Sequence, residues 1–238
     1  MHNQRVHTYF NGLHSLDKIM LNEKKLVEKL DRILKKEFGT NLAFREFSAG
    51  YGIADLVFAP DFSFTRKIVD RAPLTSFGSL QLLLSLESER AYAFEELLNV
   101  FPHLSAGEIK KQLRPLLGND YLRRTADSTY IKTWKEYFNP IKKIIAVEVK
   151  LSDHRGGLVQ ARRYKYFADE SYLAILKEAE KNIDLEEFNK HNIGLILFDE
   201  STNTVEVRYP QQKNTRYEGP VSIFAREMLL SRYLSYAS

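Results

Sequence analysis

Glu148 and Lys150 stand two residues apart in IIAVEVKLSD (residues 144–153), among six apolar side chains. On a strand, alternate side chains share a face. The carboxylate and the ammonium therefore emerge together with Ala146, while Ile145, Val147, Val149 and Leu151 line the other side. Charged groups are almost never fully buried unless something pairs with them or binds them. Such a pair either closes on itself as a salt bridge of an edge strand, or is kept for something that it binds. Two further E-x-K triplets, Glu23–Lys25 and Glu108–Lys110, fall on helical patterns, where a two-residue spacing turns the side chains apart.

Other residues capable of chemistry lie on neighbouring segments. Asp55 immediately precedes the apolar run LVFA and follows the turn at Gly50–Gly52. Gln160 and Tyr164 sit one turn apart in LVQARRYKYF, after the flexible pair Gly156–Gly157. Glu23 begins an amphipathic helix, on the side of Leu26, Val27 and Leu30. Each also has an ordinary reading. Asp55 can cap a turn, and Glu23 can be a first-turn acid favoured by the helix dipole. Gln160 and Tyr164 can be helix-surface residues, and Glu46 in FREF a cross-sheet partner for a lysine or arginine.

The elements that must position these residues follow from periodicity. Residues 22–38 (NEKKLVEKLDRILKKEF) repeat apolar side chains at helical spacing and stop at Gly39. Strands are expected near 42–48 and 53–59, the second ended by Pro60. From about 74 to 138 come three helical patterns, SLQLLLSLES, AFEELLNVF and AGEIKKQLRPLL, the last capped by Ser105, and then a hairpin around Ala126–Ser128. Helix, helix, helix, hairpin resembles a winged helix-turn-helix. After Pro140, strands and helices alternate: IIAVEVKL, the Gln160 helix, YLAIL (a strand, unless AYLAILKEAEK continues the helix), LEEFNKHN, IGLILFD, TVEVRYP and the closing helix VSIFAREMLLSRYL. The expectation is an α/β fold with a mixed central sheet flanked by helices.

A helix with Glu23, an Asp55 strand, an E-x-K strand and a helix carrying Gln160 and Tyr164 form an order of parts that resembles the PD-(D/E)xK nuclease superfamily. The resemblance covers residues 20–60 and 140–200. It implies a restriction-endonuclease-like core, built from 1–72 and 139–238, with a winged helix-turn-helix inserted at 73–138. There are two departures. Asp55 follows Ala54 rather than proline, although a literal Pro60–Asp61 lies downstream; Asp55 is preferred because Asp61 follows its strand as turn punctuation. The gap of about 90 residues between Asp55 and Glu148 is long for the family, and the inserted segment fills it. An insertion whose ends lie close together leaves the sheet intact.

The resemblance assigns roles. Asp55 and Glu148, with the Val149 carbonyl as a further candidate, would hold Mg²⁺, with Mn²⁺ as a substitute; such an ion prefers oxygen ligands and keeps several waters. It would stabilise charge at phosphorus and activate water. Lys150 would orient or deprotonate that water, Glu23 would bind a second ion or hold a water, and Gln160 would position phosphate or water. The expected reaction is phosphodiester hydrolysis in DNA by a homodimer with one site per strand. A non-catalytic DNA-binding or assembly protein keeping the fold is the rival, and a nuclease for RNA or branched DNA is a third reading.

In the inserted segment, Lys110, Lys111, Gln112 and Arg114 on the third helix and Arg123, Arg124 and Lys132 on the hairpin are the candidate DNA contacts. Gln112 or Arg114 would read a base edge. Winged helices also mediate protein contacts, and basic residues are normal on a solvated helix. Arg155, Arg162, Arg163 and Lys165 supply countercharge near the E-x-K strand, unless they simply form a solvated face.

Composition narrows the class. The 238 residues contain no cysteine, which removes thiolate catalysis, disulfides and Cys-ligated zinc and suits a cytoplasmic protein. The formal charge of +4 permits a polyanionic partner. No run approaches the roughly 18 apolar residues of a membrane helix, the six histidines lack metal spacing, and no P-loop or nucleophile-elbow motif is present.

Overall fold

The structure is a computed structural model and describes residues 23–60, 62, 72–133, 139–209 and 219–237. Asp61 and residues 134–138 of the hairpin segment lie outside them. The chain forms two units, one from 1–62 and 143–217, the other from 63–142 and 218–238.

The first unit is α/β, with a mixed six-stranded sheet flanked by helices. Its strands are β1 (Ala43–Ser48), β2 (Ile53–Phe58), β6 (Ile145–Val149), β7 (Glu170–Leu176), β8 (Gly194–Asp199) and β9 (Thr204–Tyr209), in that spatial order. The β6–β7 and β7–β8 pairs are parallel, and the remaining pairs are antiparallel. Helix α1 (23–37) presents Leu26, Leu30 and Leu34 to one sheet face, against Leu56, Val147 and Ile196. Arg45 on β1 fastens this helix through Asp31, at 2.7 and 3.0 Å. On the opposite face, α5 (His154–Tyr164) and α6 (Leu185–His191) cover Leu173, Ile175, Leu195 and Leu197 with Ala161 and Phe188.

The E-x-K strand therefore lies inside the sheet rather than at its edge, and all five residues of β6 are buried. The YLAIL segment is the strand β7 and does not continue a helix. Buried on both faces, it reads as an unbroken apolar run with no alternation to mark it. Gly156 and Gly157 belong to the first turns of α5 rather than to a flexible link, with Asp153 accepting from Gly156 N at 2.9 Å as the cap. Gly157 is there for closeness. A Cβ on it would stand 2.5 Å from Leu173 Cδ1 and 3.0 Å from Lys150 Cγ. Gly157→Ala is expected to destabilise the protein by about 1–3 kcal/mol, read as a lower urea midpoint at unchanged slope.

The second unit contains α2 (Phe77–Ser85), β3 (Ala91–Tyr92), α3 (Phe94–Val100), α4 (Ala106–Gly118), β4 (Leu122–Arg124), β5 (Tyr130–Lys132) and α7 (Pro220–Ala237). Its three strands run in the order β3-β5-β4. Ser105 caps α4 as expected, accepting from Glu108 N while the Glu108 carboxylate accepts from Ser105 N at 2.8 Å. The two-residue strand β3 was too short to show in the sequence pattern.

The closing helix corrects the division at 139–238. Ile223 and Phe224 of α7 pack on the core of Leu80, Leu83, Leu97 and Leu113. The buried Glu227 carboxylate accepts from Leu74 N and Asn139 Nδ2, each at 2.7 Å. Buried polar groups must find partners, and those of α7 lie in the second unit.

Candidate active site

The antiparallel register of β2 and β6 pairs Phe58 with Ile145, Val57 with Ala146 and Leu56 with Val147. One step further brings Asp55 opposite Glu148, at the end where the two strands part. There the Val149 N–H donates to Asp55 Oδ2 at 2.7 Å, so a side chain takes over from the backbone ladder. Lys150 Nζ lies 2.8 Å from Glu148 Oε1. Glu148 is 1% exposed. The three residues chosen from sequence thus meet at one point, on the sheet face covered by α5.

Tyr164 completes the site. Its hydroxyl reaches Ile53 O at 2.7 Å and contacts Glu148 Oε2. The phenol has one proton for these two acceptors. Burial, followed by the Glu148 charge, pushes the tyrosine upward, so the phenol stays protonated. Gly52, at φ +112°, allows the approach, its Cβ position lying 3.3 Å from the Tyr164 ring.

Burial raises the Glu148 carboxyl above its ordinary range, and the Asp55 charge adds to this, outweighing the bonds from Lys150 and Tyr164. Burial likewise raises Asp55, reinforced by Glu23 and Glu46, against the Val149 N–H and the Lys150 charge. Burial works against the Lys150 ammonium, but its bond to Glu148 and the charges of Glu148, Glu23 and Asp55 prevail and raise it. The ion pair therefore secures the lysine's charge without neutralising the acids around it.

The remaining sequence candidates divide. Glu23, the first described residue of α1, bears electrostatically on both Asp55 and Lys150. Gln160 is half-buried on α5 and its side chain makes no hydrogen bond among the described residues; Tyr164, one turn on, is the residue that reaches Glu148. Glu46 was missed as a site residue. The β1–β2 register passes from Arg45–Leu56 to Phe47–Ala54, which brings Glu46 opposite Asp55, with φ +50°. A glutamate in that region is strained, and such strain concentrates at functional sites. Once β1 and β2 are read as a hairpin about Gly50, counting back from Asp55 would have found it.

In the second unit, Gln112 is engaged in packing rather than presented to a base. Its Oε1 accepts from the Ser76 and Ser79 hydroxyls at 2.8 and 2.9 Å, which ties α4 to α2. Lys132 Nζ donates to Leu86 O at 3.3 Å, and burial lowers its proton affinity. Lys110 lies over the Phe94 ring at 5.4 Å. Lys111, Arg114, Arg123 and Arg124 are exposed, as are Arg155, Arg162 and Arg163 on α5.

No family model matches the chain, and no curated protein or solved structure matches it.

Among the described residues, no group of three or more His, Asp or Glu side chains stands ready to hold a metal ion. A Mg²⁺ ion needs only one or two carboxylates, since it keeps water in its other positions. The site fits that smaller demand. The buried Glu148 and the half-buried Asp55 carboxylates repel one another across adjacent strands, and Asp55 Oδ1 carries no hydrogen bond among the described residues. Both Glu148 oxygens already have partners, so a cation would share that carboxylate with Lys150. No helix of the described residues is long and apolar enough to cross a membrane.

Proposed function

We propose that this chain is a metal-dependent DNA endonuclease of the PD-(D/E)xK type. The observation that carries the reading is the convergence of Asp55 and Glu148 where two interior strands part, with Lys150 on the Glu148 carboxylate. Asp55 and Glu148, with the Val149 carbonyl, would hold Mg²⁺ or Mn²⁺, which supplies charge stabilisation at phosphorus and activation of water. Lys150, held protonated, donates to the attacking water or to a phosphate oxygen and is not the base. Tyr164 fixes the Glu148 rotamer, and Glu23 adds negative charge at the rim.

Residues 73–138 of the second unit, in the order α-β-α-α-β-β, are read as the inserted winged helix, and the exposed Lys111, Arg114, Arg123 and Arg124 as its DNA contacts. A non-catalytic DNA-binding protein with the same core draws on the occupied Glu148 oxygens. Supercoiled plasmid incubated with Mg²⁺, Mn²⁺ or EDTA separates the two. Nicked or linear product in either metal and none in EDTA is expected. Unaltered plasmid that nonetheless shifts in a gel with the protein favours the binding role.

A further inference from the structure

On the first unit, Tyr51 from the β1–β2 turn and Tyr166 from just beyond α5 stack at the surface. Their ring centroids are 4.7 Å apart and inclined by 27°. They are 40% and 54% exposed, although burial of a tyrosine ring is worth on the order of 2 kcal/mol. Ile53, two residues from Tyr51, is 61% exposed, and its carbonyl accepts from the Tyr164 hydroxyl that reaches Glu148. The aromatic pair therefore adjoins the candidate active site through Gly52 and Ile53.

Tyr166 also lines a pocket of about 710 Å³ together with Val159, Arg162, Arg163, Lys165, Lys190 and His191. Lys190 and His191 are both paired with Glu187, at 3.3 and 3.2 Å, and Lys165 donates to His191 O at 2.8 Å. Arg162 and Arg163 are exposed, and their guanidinium groups have no ion-pair or hydrogen-bond partner among the described residues. A flat, pre-ordered aromatic surface beside two uncommitted guanidinium groups is complementary to a base and its phosphate.

We propose that this face holds an unpaired nucleotide of a nucleic-acid strand, with its base against Tyr166 and its phosphate on Arg162 and Arg163. Resting on the nuclease reading, the assignment narrows the substrate class to nucleic acid with a single-stranded element, such as a flap, an overhang or a branch. Within a paired duplex the bases are stacked on one another and offer no face to a protein ring.

The test is fluorescence anisotropy of the full chain in EDTA, where binding is read without cleavage. The probes are a labelled twelve-nucleotide oligothymidylate, its abasic counterpart of equal charge and a twelve-base-pair duplex. Stacking is worth roughly five- to a hundredfold in affinity per base. The oligothymidylate is expected to bind about tenfold more tightly than either other probe. Tyr166→Ala should lose about that factor, Tyr166→Phe should retain it, and Arg162→Ala with Arg163→Ala should weaken oligothymidylate and abasic probes alike. Equal binding of the oligothymidylate and abasic probes, or Tyr166→Ala binding as wild type, overturns the proposal. Failure to bind any of the three also overturns it and leaves the face to a protein partner. Cleavage of a labelled duplex bearing a single-stranded flap, in Mg²⁺ and on the same preparations, keeps the two readings apart. Stacking-dependent binding without cleavage sinks the nuclease and leaves the platform, whereas cleavage with unchanged binding by Tyr166→Ala sinks the platform alone.

Discussion

Lys150→Ala is expected to slow DNA cleavage by about a hundred- to a thousandfold, the usual cost of removing one preorganised electrostatic contact to a transition state. It should also destabilise the folded protein by about 3 kcal/mol at pH 8, because removing one partner of a buried pair leaves the other charge uncompensated. The Glu148 side chain is 2% exposed and that of Lys150 19%, so water cannot substitute for the missing ammonium. Protons can. Burial already raises Glu148 in the wild type, and without Lys150 the carboxyl rises further. The stability loss should therefore shrink as pH falls towards 5, as urea melts at the two pH values will show. Because Lys150 is held protonated in the wild type, Lys150→Arg should recover more stability than activity: its charge is retained, but its planar fork differs from the compact ammonium.

Asp55→Asn is expected to reduce cleavage about a thousandfold, since an ion held at the site supplies several kcal/mol of charge stabilisation. The same change should stabilise the metal-free protein at pH 8 by about 0.5–2 kcal/mol, in the manner of functional sites that trade stability for chemistry. The sign follows from the direction of the shift. Burial, with Glu23 and Glu46, raises the folded-state Asp55 above its unfolded value. A carboxyl so raised contributes stability that is fully present below the unfolded value and lost as pH rises through the folded one. Asparagine keeps the acceptor for Val149 N–H and removes the charge. Mg²⁺ at ten times its dissociation constant adds about 1.4 kcal/mol to the wild type. That is a rise in melting temperature of about 3–5 °C at pH 8. The rise should fade towards pH 5, where protons compete for the same oxygens, and be absent in Asp55→Asn. An equal metal response in both proteins would place the ion elsewhere.

Much of the site was legible because strands alternate and the chemistry needs neighbours. Two-residue spacing put Glu148 and Lys150 on one face, and the apolar run after Asp55 marked where its strand begins. What alternation does not encode is which strands lie side by side. That β6 is interior, and that Glu148 is sealed beneath α5 rather than exposed at an edge, came only with the sheet order. Tyr164 stood out through its spacing from Gln160, yet the tyrosine and not the glutamine reaches the acid, because a phenol is long enough to cross from α5 to Glu148. The left-handed backbone of Glu46 has no signature in a sequence without glycine or asparagine at that point. Helices α2 to α4 were readable from local periodicity, but the home of α7 was not: its partners, Leu74 and Asn139, are more than eighty residues away in the chain. Gln112 and Lys132 show the same limit, since a polar residue on a helix or hairpin reads alike whether it meets DNA or a neighbouring serine or carbonyl.

The measurement that bears most directly on the central claim is cleavage of supercoiled plasmid in Mg²⁺ and Mn²⁺ by wild type beside Asp55→Ala and Lys150→Ala, each checked for its fold by circular dichroism. Nicking or linearisation by the wild type, abolished by EDTA and lost in both folded variants, is the expected result. Cleavage that persists undiminished in both variants would contradict it, because the carboxylates and lysine at the parted ends of β2 and β6 would then not be the site of the chemistry.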